Sequence, residues 1–159
     1  MSTALQIGDK APSFSTTAVG GSYGSGTPLS LANLKGKPVV LYFYPKDDTP
    51  GCTTQACGVR DHEADYAEKG AVVLGISPDP VAKVKKFHDK QALNFRLLAD
   101  EGHVVADSYG VWAEKSMYGK TYFGNERTTF VIDAAGKVAT VLRKVKPAEH
   151  DTQVLAALG

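Results

Sequence analysis

Cysteine is scarce in this chain: only Cys52 and Cys57 occur among its 159 residues. Two cysteines are too few for the disulfide scaffold with which small secreted domains compensate for an inadequate core. Long apolar runs are also missing, because the longest spans only residues 39–44. A membrane-spanning helix needs roughly 18 apolar residues or more, so the sequence predicts no segment that crosses a bilayer.

Charge of one sign is missing as well. Lys and Arg number 18 against 17 Asp and Glu, for a formal net charge of +1. This balance offers no broad basic surface for a polyanion, and we therefore expect no nucleic-acid partner. The first residues, MSTALQIGDKAPSF, lack both the basic start and the apolar stretch of about 7–15 residues that a secretory signal has. These absences predict a cytoplasmic protein, or one already processed.

The sequence also lacks a metal-binding pattern. Its four histidines are scattered without the spacing of a metal site, and Cys52 with Cys57 would supply only half of the tetrahedral set of a structural zinc ion. We therefore expect neither a metal nor another cofactor. Two close cysteines in a reducing compartment point to chemistry instead.

The overall composition is that of a folded globular protein, with 43% hydrophobic and 22% charged residues. A length of 159 residues suits one domain, which we predict to span residues 1–159. Strands are predicted where apolar runs are bounded by turns, and helices where the apolar period is helical. The predicted strands cover 39–44, 72–76, 95–98, 128–133 and 137–144, and the predicted helices cover 53–69, 80–88, 102–109 and 147–158.

Two further stretches show little periodicity. Residues 111–123 are predicted to be mostly loop, and the Gly- and Ser-rich residues 20–28 to be a hairpin tip or a surface loop. The remaining alternation of strands and helices, with a late hairpin, predicts an α/β fold with a mixed sheet.

One stretch holds most of the chemical information, running from Tyr44 to Cys57 (YPKDDTPGCTTQAC). It leads from the carboxyl end of the first buried strand into the next helix, where open α/β sheets place their ligand sites. A cysteine in the first helical turn meets unpaired backbone N–H groups and the positive end of the helix dipole, and both favour the thiolate. Cys52 is therefore predicted to be a nucleophile.

The spacing of the two cysteines limits how they can react with each other. Cys57 follows Cys52 by five residues. In an intact α-helix, Cα atoms at this spacing are about 8.7 Å apart, and disulfides rarely close beyond about 7 Å. If the two cysteines pair, the first turns of this helix must unwind. Gly58 weakens the helix next to Cys57.

Several motifs resemble those of the peroxiredoxins. The pattern Pro45-x-x-x-Thr49-x-x-Cys52 resembles their active-site signature, and Cys57 is similar to the resolving cysteine of the bacterioferritin comigratory protein, or PrxQ, group. Companion motifs extend the likeness over nearly the whole chain: GDxAPxF at 8–14, GIS at 75–77, YGVW at 109–112 and ERTTFVID at 126–133. The resemblance implies a thioredoxin-like fold, in which helices flank a mixed β-sheet and an extension or hairpin lies at the N-terminus.

The resemblance also implies a thiol-dependent peroxidase that reduces hydrogen peroxide and organic hydroperoxides. Cys52 would be the peroxidatic cysteine, which becomes a sulfenic acid while water or an alcohol leaves. Thr49 would align the peroxide and hold the thiolate, Arg127 would stabilise the thiolate and the reacting oxygens, and Pro45 would shield the site. Cys57 would attack the sulfenic acid to form an intramolecular disulfide, which thioredoxin or a similar dithiol would reduce. A monomer is expected from the same resemblance.

Other interpretations remain open at this point. One is a thioredoxin-like disulfide oxidoreductase, although such enzymes normally use Cys-x-x-Cys. Another is a peroxide sensor or interaction module, which would consume one equivalent of peroxide and stop. At the level of single residues, Cys57 could belong to the helix core, Thr49 could be only an N-cap, and Arg127 could be a solvated surface charge. Gln55 replaces the Glu of many relatives and is left out of the predicted catalytic residues.

Overall fold

The computed structural model of this protein describes residues 5–20, 27–34, 36–46, 49–117, 119–144 and 146–158. The strands are β1 (Ser15–Val19), β2 (Thr27–Ser30), β3 (Val39–Phe43), β4 (Val72–Ser77), β5 (Arg96–Ala99), β6 (Trp112–Met117), β7 (Lys120–Asn125), β8 (Thr128–Ile132) and β9 (Val138–Arg143). The helices are α1 (Pro50–Asp61), α2 (Glu63–Glu68), α3 (Val81–Lys90), α4 (Val104–Ser108) and α5 (His150–Leu158). Short 3₁₀ turns occur at Leu31–Leu34 and Pro147–Glu149.

Seven strands form one mixed sheet in the order β2-β1-β5-β4-β3-β8-β9. Strands β3, β4 and β5 run parallel, whereas β8 pairs antiparallel with β3 so that Phe43 lies opposite Thr128. This register brings the end of β3 next to the start of β8. Residues that follow β3 and residues that precede β8 therefore lie close together. The predicted late hairpin is β8 with β9, and the N-terminal hairpin is β1 with β2. Residues 21–26, within the stretch predicted to be a hairpin tip or a surface loop, lie outside the described residues.

Helices cover both faces of the sheet. Successive side chains of a strand point to opposite faces, so Val40 and Tyr42 of β3 pack with α1, α2, α3 and α5, whereas Leu41 and Phe43 pack with α4 and the N-terminal segment. All five residues of β3 are buried. This two-sided burial explains why the strand is apolar without alternation, as its sequence indicated.

The helix predicted over 53–69 is in fact two helices. α1 begins earlier than predicted, at Pro50, whose fixed φ suits the first position of a helix. It is separated from α2 by His62, which has φ −107° and ψ 11°. The Gly58 carbonyl accepts the His62 backbone N–H at 3.0 Å and is also hydrogen-bonded to the His62 ring through Nδ1 at 2.9 Å, so the ring closes the end of α1.

The loop predicted over 111–123 is wrong, because β6 and β7 form a separate two-stranded sheet with Trp112 opposite Asn125. Gly119, at φ 77°, lies in the turn between the two strands. The pair stands outside the seven-stranded sheet and leaves residues such as Phe123 exposed. Without one fully buried face, no alternation of apolar and polar residues is imposed on the sequence.

Candidate active site

The chain leaves the sheet at the end of β3 through a firmly held backbone. The Tyr44 N–H donates to the Ile76 carbonyl at 3.0 Å, and Nδ2 of Asn125 donates to the Tyr44 carbonyl at 3.2 Å. Pro45 follows at once and is half-buried. Residues 47 and 48 lie outside the described residues. Helix α1 then begins at the carboxyl edge of the parallel strands, the position expected from the sequence.

Cys52 is the third residue of α1 and is only 1% exposed. Thr49 precedes the helix in an extended conformation, and its carbonyl accepts the Thr53 N–H at 2.8 Å as the helix begins. Cys52 therefore lies in the first turn, where backbone N–H groups have no helical carbonyl to bind and the helix dipole is positive. Both features favour a negative charge on its sulfur.

Arg127 supplies a permanent positive charge at this sulfur. It lies between β7 and β8 and is half-buried, and its Nη2 is hydrogen-bonded to Cys52 Sγ at 3.4 Å. Gly51 leaves room for this approach, because a Cβ there would stand 3.2 Å from Nη2 of Arg127 and press on the guanidinium. A guanidinium stays charged at every physiological pH and presents several donors, so it can hold a thiolate and a reacting oxygen together.

Gln55 holds the other side of the same guanidinium. Its Oε1 accepts a short hydrogen bond from Arg127 Nη1, and the whole side chain is buried. Among the described residues, its Nε2 has no hydrogen-bond partner. The sequence prediction left Gln55 out, although its spacing of three residues from Cys52 places both on one helix face. We therefore add Gln55 to the site as a positioning residue for Arg127.

Thr49 is half-buried at the entrance to α1. Its side chain makes no capping hydrogen bond to the helix; instead, the hydroxyl donates to the Lys46 carbonyl at 2.9 Å. This bond fixes the direction of the hydroxyl proton and leaves the oxygen able to accept. The geometry does not support the interpretation of Thr49 as an N-cap alone.

Cys57 is half-buried on α1, and both cysteines are free thiols. Its Sγ–H donates to Oε1 of Gln91 at 3.5 Å, just beyond the end of α3. Because α1 is helical through both cysteines, their sulfurs cannot bond in this conformation. The structure therefore has the two thiols in one helix but not yet in bonding range.

Comparison with known proteins decides the family. The AhpC/TSA family matches residues 7–141. This chain belongs to the AhpC/TSA family. Peroxiredoxin Bcp of Bacillus subtilis is 46% identical over 97% of this chain and 95% of its own length. Peroxiredoxin Bcp of Escherichia coli K12 is also 46% identical, over 95% of this chain and 94% of its own length.

Solved structures agree with this assignment. Peroxiredoxin Q of Xanthomonas campestris has a TM-score of 0.83 at 38% identity and covers 91% of this chain and 89% of its own. A cysteine-to-serine variant of PrxQ from Xylella fastidiosa has a TM-score of 0.89 at 30% identity, covering 99% and 97%. These neighbours confirm the predicted thioredoxin-like fold. A bacterioferritin comigratory protein of Xanthomonas campestris, 37% identical, is described by its alkyl peroxide reduction activity. The chain is a peroxiredoxin, and its activity is that of a peroxidase.

A buried histidine lies beneath the site of this peroxiredoxin and was not predicted. His150 begins α5, is fully buried, and is hydrogen-bonded through Nε2 to Oγ1 of Thr129 at 2.9 Å. Burial, and then the positive charge of Arg127, lower the pKa of His150 to about 4. The ring is therefore neutral at physiological pH and adds no charge that would compete with Arg127. No local pattern marks His150, because only the packing of α5 on the sheet brings it here.

Neither a metal cluster nor a membrane-spanning segment is found in the described part of the chain. No group of three or more His, Cys, Asp or Glu side chains is placed there to hold a metal ion. Among the same residues, no helix is long and apolar enough to cross a bilayer.

Proposed function

We propose that Cys52 is the peroxidatic cysteine of this peroxidase. The observation on which the proposal rests is the 3.4 Å contact between Cys52 Sγ and Nη2 of Arg127 in the first turn of α1. The thiolate attacks the terminal oxygen of a hydroperoxide; the S–O bond forms as the O–O bond breaks. The sulfur is oxidised to a sulfenic acid, the peroxide is reduced, and the leaving oxygen takes up a proton to depart as water or an alcohol.

Three neighbouring side chains assist this step in our proposal. Arg127 stabilises the thiolate and the negative charge that develops on the leaving oxygen. Thr49 accepts a hydrogen bond from the peroxide, because its own proton already goes to the Lys46 carbonyl. Pro45, half-buried between β3 and α1, shields the thiolate from bulk water.

Cys57 completes the cycle as the resolving cysteine. It attacks the Cys52 sulfenic acid, an intramolecular disulfide forms, and water leaves. The helical conformation of α1 means that this step needs local unwinding. Support for the pairing comes from the placement of the two thiols on one short helix that contains Gly58.

Thioredoxin, or a dithiol protein like it, is proposed to reduce the disulfide by thiol exchange. We further propose that residues 1–159 act as one domain, that the enzyme is a monomer and that it works in the cytoplasm, where a reducing environment returns both cysteines to thiols. Size-exclusion chromatography of the reduced and oxidised forms tests this proposal: both forms should elute at the volume expected for a single chain.

The proposal is tested by peroxide consumption with thioredoxin, thioredoxin reductase and NADPH. The wild type should turn over many times, and mass spectrometry should find a Cys52–Cys57 disulfide. Cys52→Ser should abolish consumption, whereas Cys57→Ser should still form the sulfenic acid but lose thioredoxin-dependent turnover. A single equivalent consumed by the wild type would favour a sensor, and activity in Cys52→Ser would contradict the assignment of the nucleophile.

A further inference from the structure

The Cys57 end of α1 is fastened to the segment that follows α3. Nη1 of Arg60 donates to the Gln91 carbonyl at 2.7 Å, and Nδ2 of Asn94 donates to the Arg60 carbonyl at 3.1 Å. Gln91 also accepts the Cys57 thiol proton at Oε1, 3.5 Å away. One residue, Gln91, thus contacts both Cys57 and Arg60, which are three residues apart and share a helix face.

The resolving step makes specific demands on Cys57. The thiol must first lose its proton, because the thiolate is the nucleophile. Its electron pair then forms the S–S bond with the Cys52 sulfenic sulfur, the S–O bond breaks, and the departing hydroxide takes up a proton to give water. Cys57 is oxidised as the sulfenic sulfur is reduced, so no further reactant is needed. A fixed cation beside Cys57 would favour the thiolate.

We propose that Arg60 is a positioning residue for the resolving cysteine: it holds Cys57 in place through Gln91, and its charge stabilises the Cys57 thiolate as that thiolate forms. The inference rests on the proposed role of Cys57. It agrees with the raised pKa of the Arg60 guanidinium, for which the hydrogen bond to Asp61 is the larger cause and the charge of Cys57 the next.

Gln91 is suited to both protonation states of the thiol. An amide has an acceptor oxygen and a donor nitrogen, so it can accept from the thiol and, after rotation, donate to the thiolate. The other charged or titratable groups on the two packed elements are Asp61 on α1, which accepts from Arg60 Nε at 3.0 Å, and Lys83, Lys85, Lys86, His88, Asp89 and Lys90 on α3. Asp89 is exposed and already bound by Lys85.

The test measures ionisation of Cys57 directly, in a Cys52→Ser background that leaves Cys57 as the sole thiol. Alkylation by iodoacetamide is followed by mass spectrometry at pH 7 and at pH 10, where a thiol is almost fully ionised. Arg60→Gln should slow alkylation at pH 7 about twofold to threefold, and rates at pH 10 should converge. Arg60→Lys, which keeps the charge, should restore most of the pH 7 rate. Lys37→Gln is the matched control. Lys37 is exposed and lies just before β3, at the end of this strand far from α1, so its substitution should have no effect.

Two results would overturn the proposal. The first is an unchanged pH 7 rate in Arg60→Gln or an equal change in Lys37→Gln. The second is slowing that persists at pH 10, which would indicate altered access rather than ionisation. Gln91→Glu provides a second variant: a carboxylate against the thiol should slow alkylation at pH 7 more than Arg60→Gln does, and an unchanged rate would remove Gln91 from the proposal.

With both cysteines present, quenched mass spectrometry follows disulfide closure after one equivalent of peroxide. Arg60→Gln should slow closure about twofold to fivefold while sulfenic acid forms at the wild-type rate. Equal slowing of both steps would contradict a role confined to Cys57. Because the alkylation experiment involves no disulfide, it can succeed or fail independently of whether the wild type forms the Cys52–Cys57 bond.

Discussion

The carboxylate of Asp151 lies against Gly58 of α1. A Cβ added at position 58 would clash with Oδ2 of Asp151. The carboxylate is not free to move aside, because Tyr66 OH donates to its Oδ1 at 2.5 Å and His62 Nδ1 lies 3.7 Å from its Oδ2. Burial raises the pKa of Asp151, since the charged form loses water. The start of α5 thereby packs on the same turn of α1 that holds Cys57.

Gly58→Ala should therefore destabilise the protein even though alanine is the better helix former. Overpacking should cost about 1–3 kcal/mol of unfolding free energy, and the helix-propensity gain of about 1 kcal/mol should offset only part of this cost. Urea unfolding measures it. In an Asp151→Ala background the same substitution should become neutral or stabilising, because the obstructing carboxylate is gone. A stabilising Gly58→Ala in the wild type would contradict the described contact.

The lowered pKa of His150 predicts that stability falls at acid pH. The folded protein holds the ring neutral down to about pH 4, whereas the unfolded chain takes up a proton near pH 6.5. The unfolded state thus binds more protons between these values, and unfolding free energy should fall by up to about 3 kcal/mol as pH drops through this window.

Urea unfolding at pH 7 and pH 4.5 tests this expectation, with His150→Gln as the control because an amide can replace the bond to Thr129. The raised pKa values of His62 and Asp151 act in the opposite direction, since the folded state then binds the proton first. Subtracting the change in unfolding free energy of His150→Gln between the two pH values from that of the wild type removes both contributions. An equal loss of stability in the two proteins would mean that another group is responsible.

Local sequence patterns predicted the buried strand β3 and the helix that follows it. The buried strand β3 is a continuous apolar run, and the helix that follows it places Cys52 in its first turn. Pro45 and Thr49 were predicted from the family resemblance. The β6–β7 pair was missed because its exposure imposes no periodicity.

The rest of the site depends on tertiary packing. Arg127 lies 75 residues from Cys52, and only the pairing of β8 with β3 brings them together. The family resemblance predicted Arg127, whereas residue spacing alone did not. For Gln55 the only signal was its helical spacing from Cys52, and His150 had none, since their contacts form only when Arg127 and α5 are in place.

Gln55 should affect the rate of the peroxide step through Arg127. Gln55→Met removes the acceptor for Nη1 with little change in size, and a hydrogen bond to a charged group contributes about 1.5–3 kcal/mol, so sulfenic acid formation should slow roughly tenfold or more. Gln55→Glu keeps an acceptor and should retain a rate within a few-fold of wild type. Stopped-flow fluorescence of Trp112, the single tryptophan, offers one readout. Equal rates in Gln55→Met and wild type would show that Arg127 needs no such anchor.

Substitutions of Thr49 can distinguish a chemical role of this residue from a structural one. If its hydroxyl oxygen accepts from the peroxide, Thr49→Val should slow sulfenic acid formation roughly tenfold to a hundredfold, and Thr49→Ser should keep most of the rate. The variant also loses the hydrogen bond from the hydroxyl to the Lys46 carbonyl, so its unfolding free energy should fall by about 0.5–1.5 kcal/mol whether or not Thr49 acts in the chemistry. The rate of sulfenic acid formation therefore separates the two roles. A Thr49→Val protein that is less stable but reacts at the wild-type rate would assign Thr49 to the helix rather than to the chemistry.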